Sequence, residues 1–151
     1  MTGERYLIAL GSNRRHVRYG APAKVLRAAL EYLQAGDIHV ESSSRIMETA
    51  PLGPSHRRYA NAAAVIQTDL QPDELLTHLK RVEAKFGRRT GGMRWLARVL
   101  DLDIILWSGG GYSAPNLNVP HRLFRERDFV LQPSVQIAAD WRDPFSGLTV
   151  R

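Results

Sequence analysis

Residues 99–107 read Val-Leu-Asp-Leu-Asp-Ile-Ile-Leu-Trp and form the clearest strand pattern in the chain. Side chains along a strand alternate between its two faces, so Asp101 and Asp103 are predicted to leave the same face. The apolar residues before, between and after them are predicted to point the other way, into a core: Leu100, Leu102, Ile104 and Leu106. The stretch therefore predicts a half-buried strand whose second face carries two carboxylates.

Further strand and helix patterns flank this stretch on both sides. Strands are predicted over residues 6–10, 38–47 and 61–68, and helices over 22–35, 72–86 and 129–138. The second helix has a strong start, because Pro72 suits a first turn and the acidic Asp73 and Glu74 face the positive end of the helix dipole. Gly36 and Gly87 stand where helices commonly end.

The order of these elements is β-α-β-β-α-β, followed by one more helix. That order is typical of an α+β fold, the ferredoxin-like sandwich, in which both helices lie on one face of an antiparallel sheet. The last helix is expected to be a C-terminal helical appendage. A length of 151 residues suits one domain, so residues 1–151 are expected to form a single domain.

The composition excludes several classes of site and location. The chain has no cysteine, which rules out disulfides, thiolate metal ligands and a cysteine nucleophile. No apolar run approaches the roughly 18 residues of a membrane span, and the first residues lack the shape of a secretory signal. We therefore expect a cytoplasmic protein with no membrane partner, and we expect it to be a monomer.

The charge pattern favours a compact anionic ligand. The chain has 21 Lys+Arg against 15 Asp+Glu, a net charge of +6, and its arginines cluster among glycines within residues 88–98. A basic loop of that kind suits a triphosphate at least as well as a nucleic-acid duplex, since guanidinium groups bind phosphate oxygens bidentately. A solvated basic surface is the plainer interpretation of any single arginine.

The two aspartates of the strand indicate a divalent cation. Their Cα atoms would be about 7 Å apart at ~3.4 Å per residue, and like charges at that distance repel by roughly 2 kcal/mol at an effective dielectric of about 20. Aspartate is also depleted in strands. A cation between the carboxylates offsets both costs, and hard oxygen ligands favour Mg²⁺ over zinc. A solvated strand face with two unrelated acids is the alternative.

The large nucleotide-binding motifs are missing from the sequence. It contains neither a P-loop pattern nor the kinase glycine loop with its partner motifs. Gly11-Ser12-Asn13, directly after the first strand, is a weak phosphate-loop signal and is more often a plain turn.

Several short motifs occur together and in one order along the chain. They are Ala-Leu-Gly-Ser-Asn at 9–13, Thr-Ala-Pro-Leu-Gly-Pro at 49–54, Tyr-Ala-Asn-Ala-Ala at 59–63, the 83–88 stretch, Arg-Trp at 94–95, the 98–104 stretch around the aspartates, Val-Pro-His at 119–121 and Arg-Asp-Phe-Val-Leu at 127–131. On these motifs the chain resembles the 6-hydroxymethyl-7,8-dihydropterin pyrophosphokinases of folate biosynthesis over nearly its whole length.

This resemblance implies a Mg²⁺-dependent enzyme acting on two small molecules. The enzyme would transfer the β,γ-pyrophosphoryl group of its co-substrate ATP to the pterin's hydroxymethyl oxygen and release AMP. Asp101 and Asp103 would hold two Mg²⁺ ions. Arg88 and Arg98 would be mobile-loop arginines that close on the phosphates, which makes these four the implied catalytic residues.

The resemblance also implies two sets of binding residues. ATP contacts would come from Glu83, Arg88, Trp95, Arg98, Ile104, His121 and Arg127. Pterin contacts would come from Thr49, Ala50, Pro51, Leu52, Tyr59, Asn61, Trp95, Asp101 and Phe129. Tyr59 and Phe129 would sandwich the flat pterin ring, and Asn61 would read its amide edge. Plainer roles are open for single residues, such as a core aromatic or an asparagine that starts a strand.

Two departures from the family's usual sequence keep other interpretations open. Residues 95–99 read Trp-Leu-Ala-Arg-Val, where the family usually reads Trp-Gly-Pro-Arg followed by Thr or Ser, so we expect slower or weaker loop closure. Position 122 is Arg where an aromatic is common. One alternative is therefore a catalytically weak homologue that still binds pterin or nucleotide.

Another alternative is an RNA-binding ferredoxin-like module, which the basic charge and the order of elements allow. Such modules stack bases on aromatic side chains of their central strands. Here Asp101 and Asp103 occupy the best strand, and their carboxylates repel a phosphate backbone unless a cation intervenes. We therefore expect no nucleic-acid partner.

Overall fold

The computed structural model of the chain describes residues 3–13, 19–49, 59–87, 99–121 and 128–151. The strands are β1 (Glu4–Ser12), β2 (His39–Ser43), β3 (Met47–Thr49), β4 (Tyr59–Thr68), β5 (Asp101–Trp107), β6 (Tyr112–Ala114) and β7 (Leu117–Val119). The helices are α1 (Pro22–Gln34), α2 (Pro72–Lys85) and α3 (Asp128–Ala138).

The main sheet is antiparallel and has β1 at its centre. Its strands follow the order β2-β4-β1-β5, with the short β3 also paired to β4, while β6 and β7 form a separate hairpin. β1 pairs with β4 on one side and with β5 on the other. The described residues thus form a mixed α/β structure with an antiparallel sheet, as the sequence predicts.

One face of the sheet packs against α1 and α2. Alternate residues of β1, β4 and β5 enter this core: Tyr6, Ile8, Leu10, Ala60, Ala62, Ala64, Ile66, Leu102 and Ile104. The helices contribute apolar residues at helical spacing, among them Leu26 and Leu33 from α1 and Leu75 and Leu79 from α2. Both helices therefore lie on the same face, as predicted from the order of the elements.

The opposite face packs against α3. Leu7, Ala9, Ala63, Val65, Ile105 and Leu106 form a second apolar cluster with Val130, Ala138 and Val150. The chain returns after α3, where the Val150 N–H donates to the Trp141 carbonyl at 2.9 Å. The last helix is therefore more than the appendage expected from the sequence, because it covers the second face of the sheet and makes β1 buried from both sides.

The helix ends follow the signals read from the sequence. At the start of α2, the Gln71 backbone N–H donates to the Glu74 carboxylate at 2.9 Å, which satisfies one of the amides that a helix start leaves open. After α2, Gly87 takes a φ of +99°, a conformation that glycine adopts without strain. Among the described residues, no helix combines the length and apolarity needed to span a membrane.

A β-bulge corrects one prediction for β5. In its pairing with β1, Leu7 faces Leu106 and Ile8 faces Ile104, so Ile105 is an extra residue. The bulge turns both Ile105 and Leu106 towards α3. The prediction that Leu106 points to the same side as Leu102 and Ile104 is therefore wrong, because the extra residue breaks the alternation from which it was made.

The predicted strand over residues 38–47 is divided in two. β2 and β3 both pair with β4, and Ser44 lies between them. The Ser44 N–H donates to the Ala63 carbonyl at 2.8 Å, and its Oγ accepts the Ala63 N–H at 2.9 Å. A serine side chain thus replaces one backbone partner of the ladder, which lets the chain bend without leaving Ala63 unsatisfied.

We expect Leu26→Ala to lower the free energy of unfolding by about 2–5 kcal/mol, because it opens a cavity between α1 and the sheet. Leu26 is fully buried there. Its neighbour Arg27 is exposed, so Arg27→Ala is the matched control and should change stability by less than about 0.5 kcal/mol. Urea unfolding of both variants provides the measurement. Equal losses would contradict this assignment of the core.

Candidate functional site

Asp101 and Asp103 lie at the start of β5, on the face of the sheet opposite α1 and α2. Asp101 pairs with Gly11 of β1, and Asp103 pairs with Ala9. Leu102 between them is buried in the core shared with the two helices, whereas both aspartates are half-buried. The two carboxylates therefore leave the same face, on the side of the sheet that α3 covers.

A row of paired residues crosses four strands at this level. Met47 of β3 pairs with Asn61 of β4, Asn61 with Gly11 of β1, and Gly11 with Asp101 of β5. Directly opposed residues of antiparallel strands project from the same face. Neighbouring strands lie about 4.8 Å apart, so Asn61 and Asp101 flank Gly11 across roughly two strand spacings.

Small residues form the floor between these polar side chains. A Cβ added at Gly11 would lie 3.2 Å from the Asn61 Oδ1, so the glycine keeps the space beside that amide open. The next row consists of Ala63, Ala9 and Asp103. Ala63 and Ala9 are buried against α3, so Gly11 is the partly exposed part of this floor, with asparagine on one side and Asp101 on the other.

Tyr59 belongs to the same face. It stands two residues before Asn61 in β4, pairs with Thr49 of β3 and is half-buried. Because side chains alternate along a strand, Tyr59, Asn61 and Ala63 share the face that α3 covers. The structure thus brings one aromatic ring, one amide and two carboxylates of the predicted site onto one surface.

Phe129 lies in the first turn of α3, the helix that packs on this face, and 46% of it is exposed. Two contacts fix α3 in place: the Gln136 side chain accepts the Arg45 N–H at 2.9 Å, and Val130 and Ala138 pack in the second apolar cluster with residues of β1, β4 and β5. An exposed phenyl ring is therefore held on a helix tied to both the sheet and the β2–β3 connection.

The predicted ATP residues Glu83 and His121 both contact the backbone of β5. β5 ends the strand path of the main sheet. The Leu102 N–H donates to the Glu83 Oε2 at 2.7 Å, and the His121 N–H donates to the Ile105 carbonyl at 3.0 Å. Glu83 is only 3% exposed, so its carboxylate lies inside the protein.

Ile104, a further predicted ATP residue, also lies inside the protein. Its side chain is 2% exposed and packs in the core with α1 and α2, on the face opposite Asp101 and Asp103. A nucleotide on the carboxylate face is therefore out of reach of this side chain. If Ile104 contributes to ATP binding, it does so through its backbone.

The residues on both sides of the arginine-bearing segment 88–98 lie in the same core. Before it, Phe86 is buried and stacks on Tyr19 with ring centroids 5.1 Å apart. After it, Val99 and Leu100 are buried in the cluster that also contains Phe86. The described residues before and after the segment thus pack against the face of the sheet that α1 and α2 cover.

Several predicted site residues lie outside the described residues: Ala50, Pro51, Leu52, Arg88, Trp95, Arg98 and Arg127. The altered positions Leu96, Ala97 and Arg122 lie outside them as well. Thr49 is placed by its backbone pairing with Tyr59.

The donor set suits magnesium. The described residues contain no group of three or more His, Cys, Asp or Glu side chains arranged to hold a metal, and the chain has no cysteine. Mg²⁺ is commonly held by only one or two carboxylates, with water and substrate phosphates completing its shell. Asp101 and Asp103 on one face fit that requirement.

Sequence reasoning missed the position of Gly11 and did not single out Met47. Gly11-Ser12-Asn13 was expected to be a turn, but Gly11 and Ser12 continue β1. The apolar run ends at Leu10, so the sequence gives no sign that the strand continues. The extension of β1 to Ser12 is visible only from its pairing with β4. Met47 could not be selected because its place beside Asn61 depends entirely on that pairing.

Comparison with known proteins gives consistent matches. Residues 7–139 match the family described as 7,8-dihydro-6-hydroxymethylpterin-pyrophosphokinase. A protein named 2-amino-4-hydroxy-6-hydroxymethyldihydropteridine pyrophosphokinase from Haemophilus influenzae is 38% identical over 135 residues, covering 88% of this chain and 81% of that protein. A protein of the same name from Pseudomonas aeruginosa is 35% identical over 143 residues, covering 93% and 85%.

A solved structure shares the fold. The crystal structure of Plasmodium falciparum HPPK-DHPS superposes with a TM-score of 0.71 and covers 99% of this chain. The match accounts for 43% of that longer chain, and the sequences are 12% identical. At that identity the likeness concerns the fold alone.

Proposed function

The chain belongs to the 7,8-dihydro-6-hydroxymethylpterin-pyrophosphokinase family, and on that premise we propose that it transfers the β,γ-pyrophosphoryl group of ATP to 6-hydroxymethyl-7,8-dihydropterin in folate biosynthesis. The pterin's hydroxymethyl oxygen attacks the β-phosphorus, the bond from that phosphorus to the oxygen bridging the α-phosphate breaks, and AMP leaves. The hydroxyl proton is released in the same reaction.

The shared face of β4, β1 and β5 is the observation that supports this proposal best. It presents the Asn61 amide and the two carboxylates on either side of Gly11, which is partly exposed, while Ala9 and Ala63 lie buried beneath α3. A flat bicyclic ring fits over a floor of glycine, which has no side chain, and an amide can pair with its donor and acceptor edge. The carboxylates then stand at the far side of that floor, where a hydroxymethyl group and a triphosphate would meet.

Asp101 and Asp103 are the residues that would hold Mg²⁺, and the proposal takes two ions. Bound Mg²⁺ neutralises phosphate charge and aligns an attacking hydroxyl with the phosphorus. The chain's own contribution is to keep the two carboxylates on one face, which the alternation along β5 does. Neither carboxylate is needed by the core, because Leu102 and Ile104 fill the opposite face.

Aromatic side chains would hold the pterin. Tyr59 lies on the same face as Asn61, and Phe129 offers an exposed ring on α3. A ring stacked between two aromatic faces is excluded from water and held in one plane. Backbone groups of residues 49–52 and the side chain of Trp95 complete the proposed pterin contacts.

Basic residues would bind the triphosphate. We assign this role to Arg88, Arg98, Arg127 and His121, with Trp95 as a residue that covers the bound substrates. His121 is tied by its backbone to Ile105 of β5, which keeps it beside the strand that carries the carboxylates. Guanidinium groups suit this task because they bind phosphate oxygens through paired hydrogen bonds.

Several broader properties belong to the same proposal. The strand order β2-β4-β1-β5, with α1 and α2 on one face, supports classing the fold as a ferredoxin-like sandwich. We further propose that residues 1–151 act as a single domain and a cytoplasmic monomer, without nucleic-acid or membrane partners. The catalytically weak homologue is the less favoured alternative, since the relatives bear the name of the enzyme itself.

Incubation with ATP, Mg²⁺ and 6-hydroxymethyl-7,8-dihydropterin, followed by separation of the nucleotides, tests the proposed function. Pterin-dependent AMP without ADP is the expected product, because the β,γ-group leaves as one unit. Saturable binding of pterin or ATP without release of AMP would instead support the alternative, a catalytically weak homologue that only binds its ligands.

We expect Asp101→Ala and Asp103→Ala each to lower kcat by at least about a thousandfold, because each removes a carboxylate that anchors Mg²⁺ to the protein. The far-ultraviolet circular dichroism of both variants should match that of the wild type, since neither side chain fills the core. Asp37→Ala, at an exposed acid after α1, is the control. Near-normal AMP release by both variants would contradict the metal site.

Gly11→Ala should weaken pterin binding by about tenfold or more, because a methyl group at this position comes within 3.2 Å of the Asn61 Oδ1 and occupies the floor of the proposed pocket. Gly36→Ala is the matched control, since an added Cβ there finds its nearest atom at 3.9 Å. Titration of ligand fluorescence measures both dissociation constants. Unchanged binding in Gly11→Ala would show that the pterin does not lie on this floor.

A further inference from the structure

Glu83 is a charged residue in an otherwise apolar stripe. The buried residues of α2 are Pro72, Leu75, Leu79, Val82 and Glu83. Placing a carboxylate among them carries a large desolvation cost unless it is hydrogen-bonded. One contact that meets this need is the Leu102 N–H, at 2.7 Å from the Glu83 Oε2.

Leu102 is the residue between the two carboxylates of the site. Its N–H belongs to the peptide unit that joins it to Asp101, and its Cα leads on to Asp103. In an extended chain the orientation of a peptide unit is coupled to the directions of the two side chains that flank it, here those of Asp101 and Leu102. A charge-assisted hydrogen bond to this N–H therefore holds the backbone of β5 directly after Asp101, and Asp103 follows one residue later in the same strand.

The same contact connects the residues before the arginine-bearing segment to those after it. Glu83 lies in the last turns of α2, before residues 88–98, and Leu102 lies just after them. The bond joins two residues that are 19 positions apart, across the two ends that Phe86 and Leu100 anchor in the core. One side chain thus links the helix that enters this segment to the strand that leaves it.

We propose that Glu83 is a positioning residue, which holds Asp101 and Asp103 in place through the Leu102 N–H instead of contacting ATP. This inference rests on the proposed function, because it assigns the pair to Mg²⁺. It replaces the role as an ATP contact that the family resemblance implied for Glu83. The burial of the carboxylate and its bond to β5 are the observations that distinguish the two roles.

Two substitutions of similar size distinguish the loss of the hydrogen-bond acceptor from the loss of the negative charge. Glu83→Gln keeps an oxygen that can accept the Leu102 N–H, whereas Glu83→Met keeps the volume and removes the acceptor. Glu31→Met, at an exposed position of α1, is the control. Hydrogen exchange of the Leu102 amide in the ligand-free protein measures the contact directly, and steady-state kinetics over a range of Mg²⁺ and ATP concentrations measures its effect on the reaction.

We expect Glu83→Met to speed Leu102 exchange by at least about tenfold. It should also lower kcat by about tenfold or more and raise the Mg²⁺ concentration needed for half-maximal rate, with KM for ATP unchanged. Glu83→Gln should restore most of the protection and of kcat. This split follows because a positioning residue alters the alignment of the reacting groups, whereas an ATP contact alters binding.

Two results would overturn the inference. One is an unchanged Leu102 exchange rate in Glu83→Met. The other is a raised KM for ATP in Glu83→Gln with Leu102 still protected, which would make Glu83 an ATP contact. If Glu83→Met does not fold, the KM for ATP and the Leu102 exchange rate of Glu83→Gln decide between the two roles. A wild-type protein that makes no AMP would overturn the proposed function instead, while the exchange measurement would still decide whether Glu83 holds the strand.

Discussion

The pairing register of β4, β1 and β5 is the constraint on which the rest of the molecule depends. Because side chains alternate with a period of two, one register sends Leu10, Ala62 and Leu102 into the core with α1 and α2. The same register sends the intervening residues to the other face. A slip of one residue in β5 would exchange these sets and bury two carboxylates. The free energy of the core thus selects the geometry of the candidate site.

Local signals were sufficient to predict the helices and the class of fold. Pro72 and Glu74 mark the start of α2, and Gly87 follows its end. Each of these residues acts on backbone groups only a few positions away, so its effect can be predicted from a short stretch of sequence. Features that depend on distant partners were not predictable. The bulge at Ile105, the division at Ser44 and the covering of the second face by α3 all arise from pairing or packing between segments far apart in sequence.

The candidate site shows the same division between local and distant information. The spacing of Asp101 and Asp103 identified their common face, since alternation is a property of one strand. The row from Met47 to Asp101 could not be read from any single segment, because three separate pairings create it. The buried position of Ile104 and the contact of Glu83 with Leu102 likewise depend on how α2 packs beside β5.

The central place of β1 also governs how the chain can reach its folded state. Tyr6, near the start of the chain, pairs with Ile66 on one side and with Trp107 on the other. Pairings of that sequence separation require large loops to close first, which slows folding relative to proteins held by local contacts. During synthesis β1 keeps an unpaired edge until Trp107 has left the ribosome, and an open edge can recruit other strands. The surface that carries the two carboxylates is accordingly one of the last parts of the protein to form.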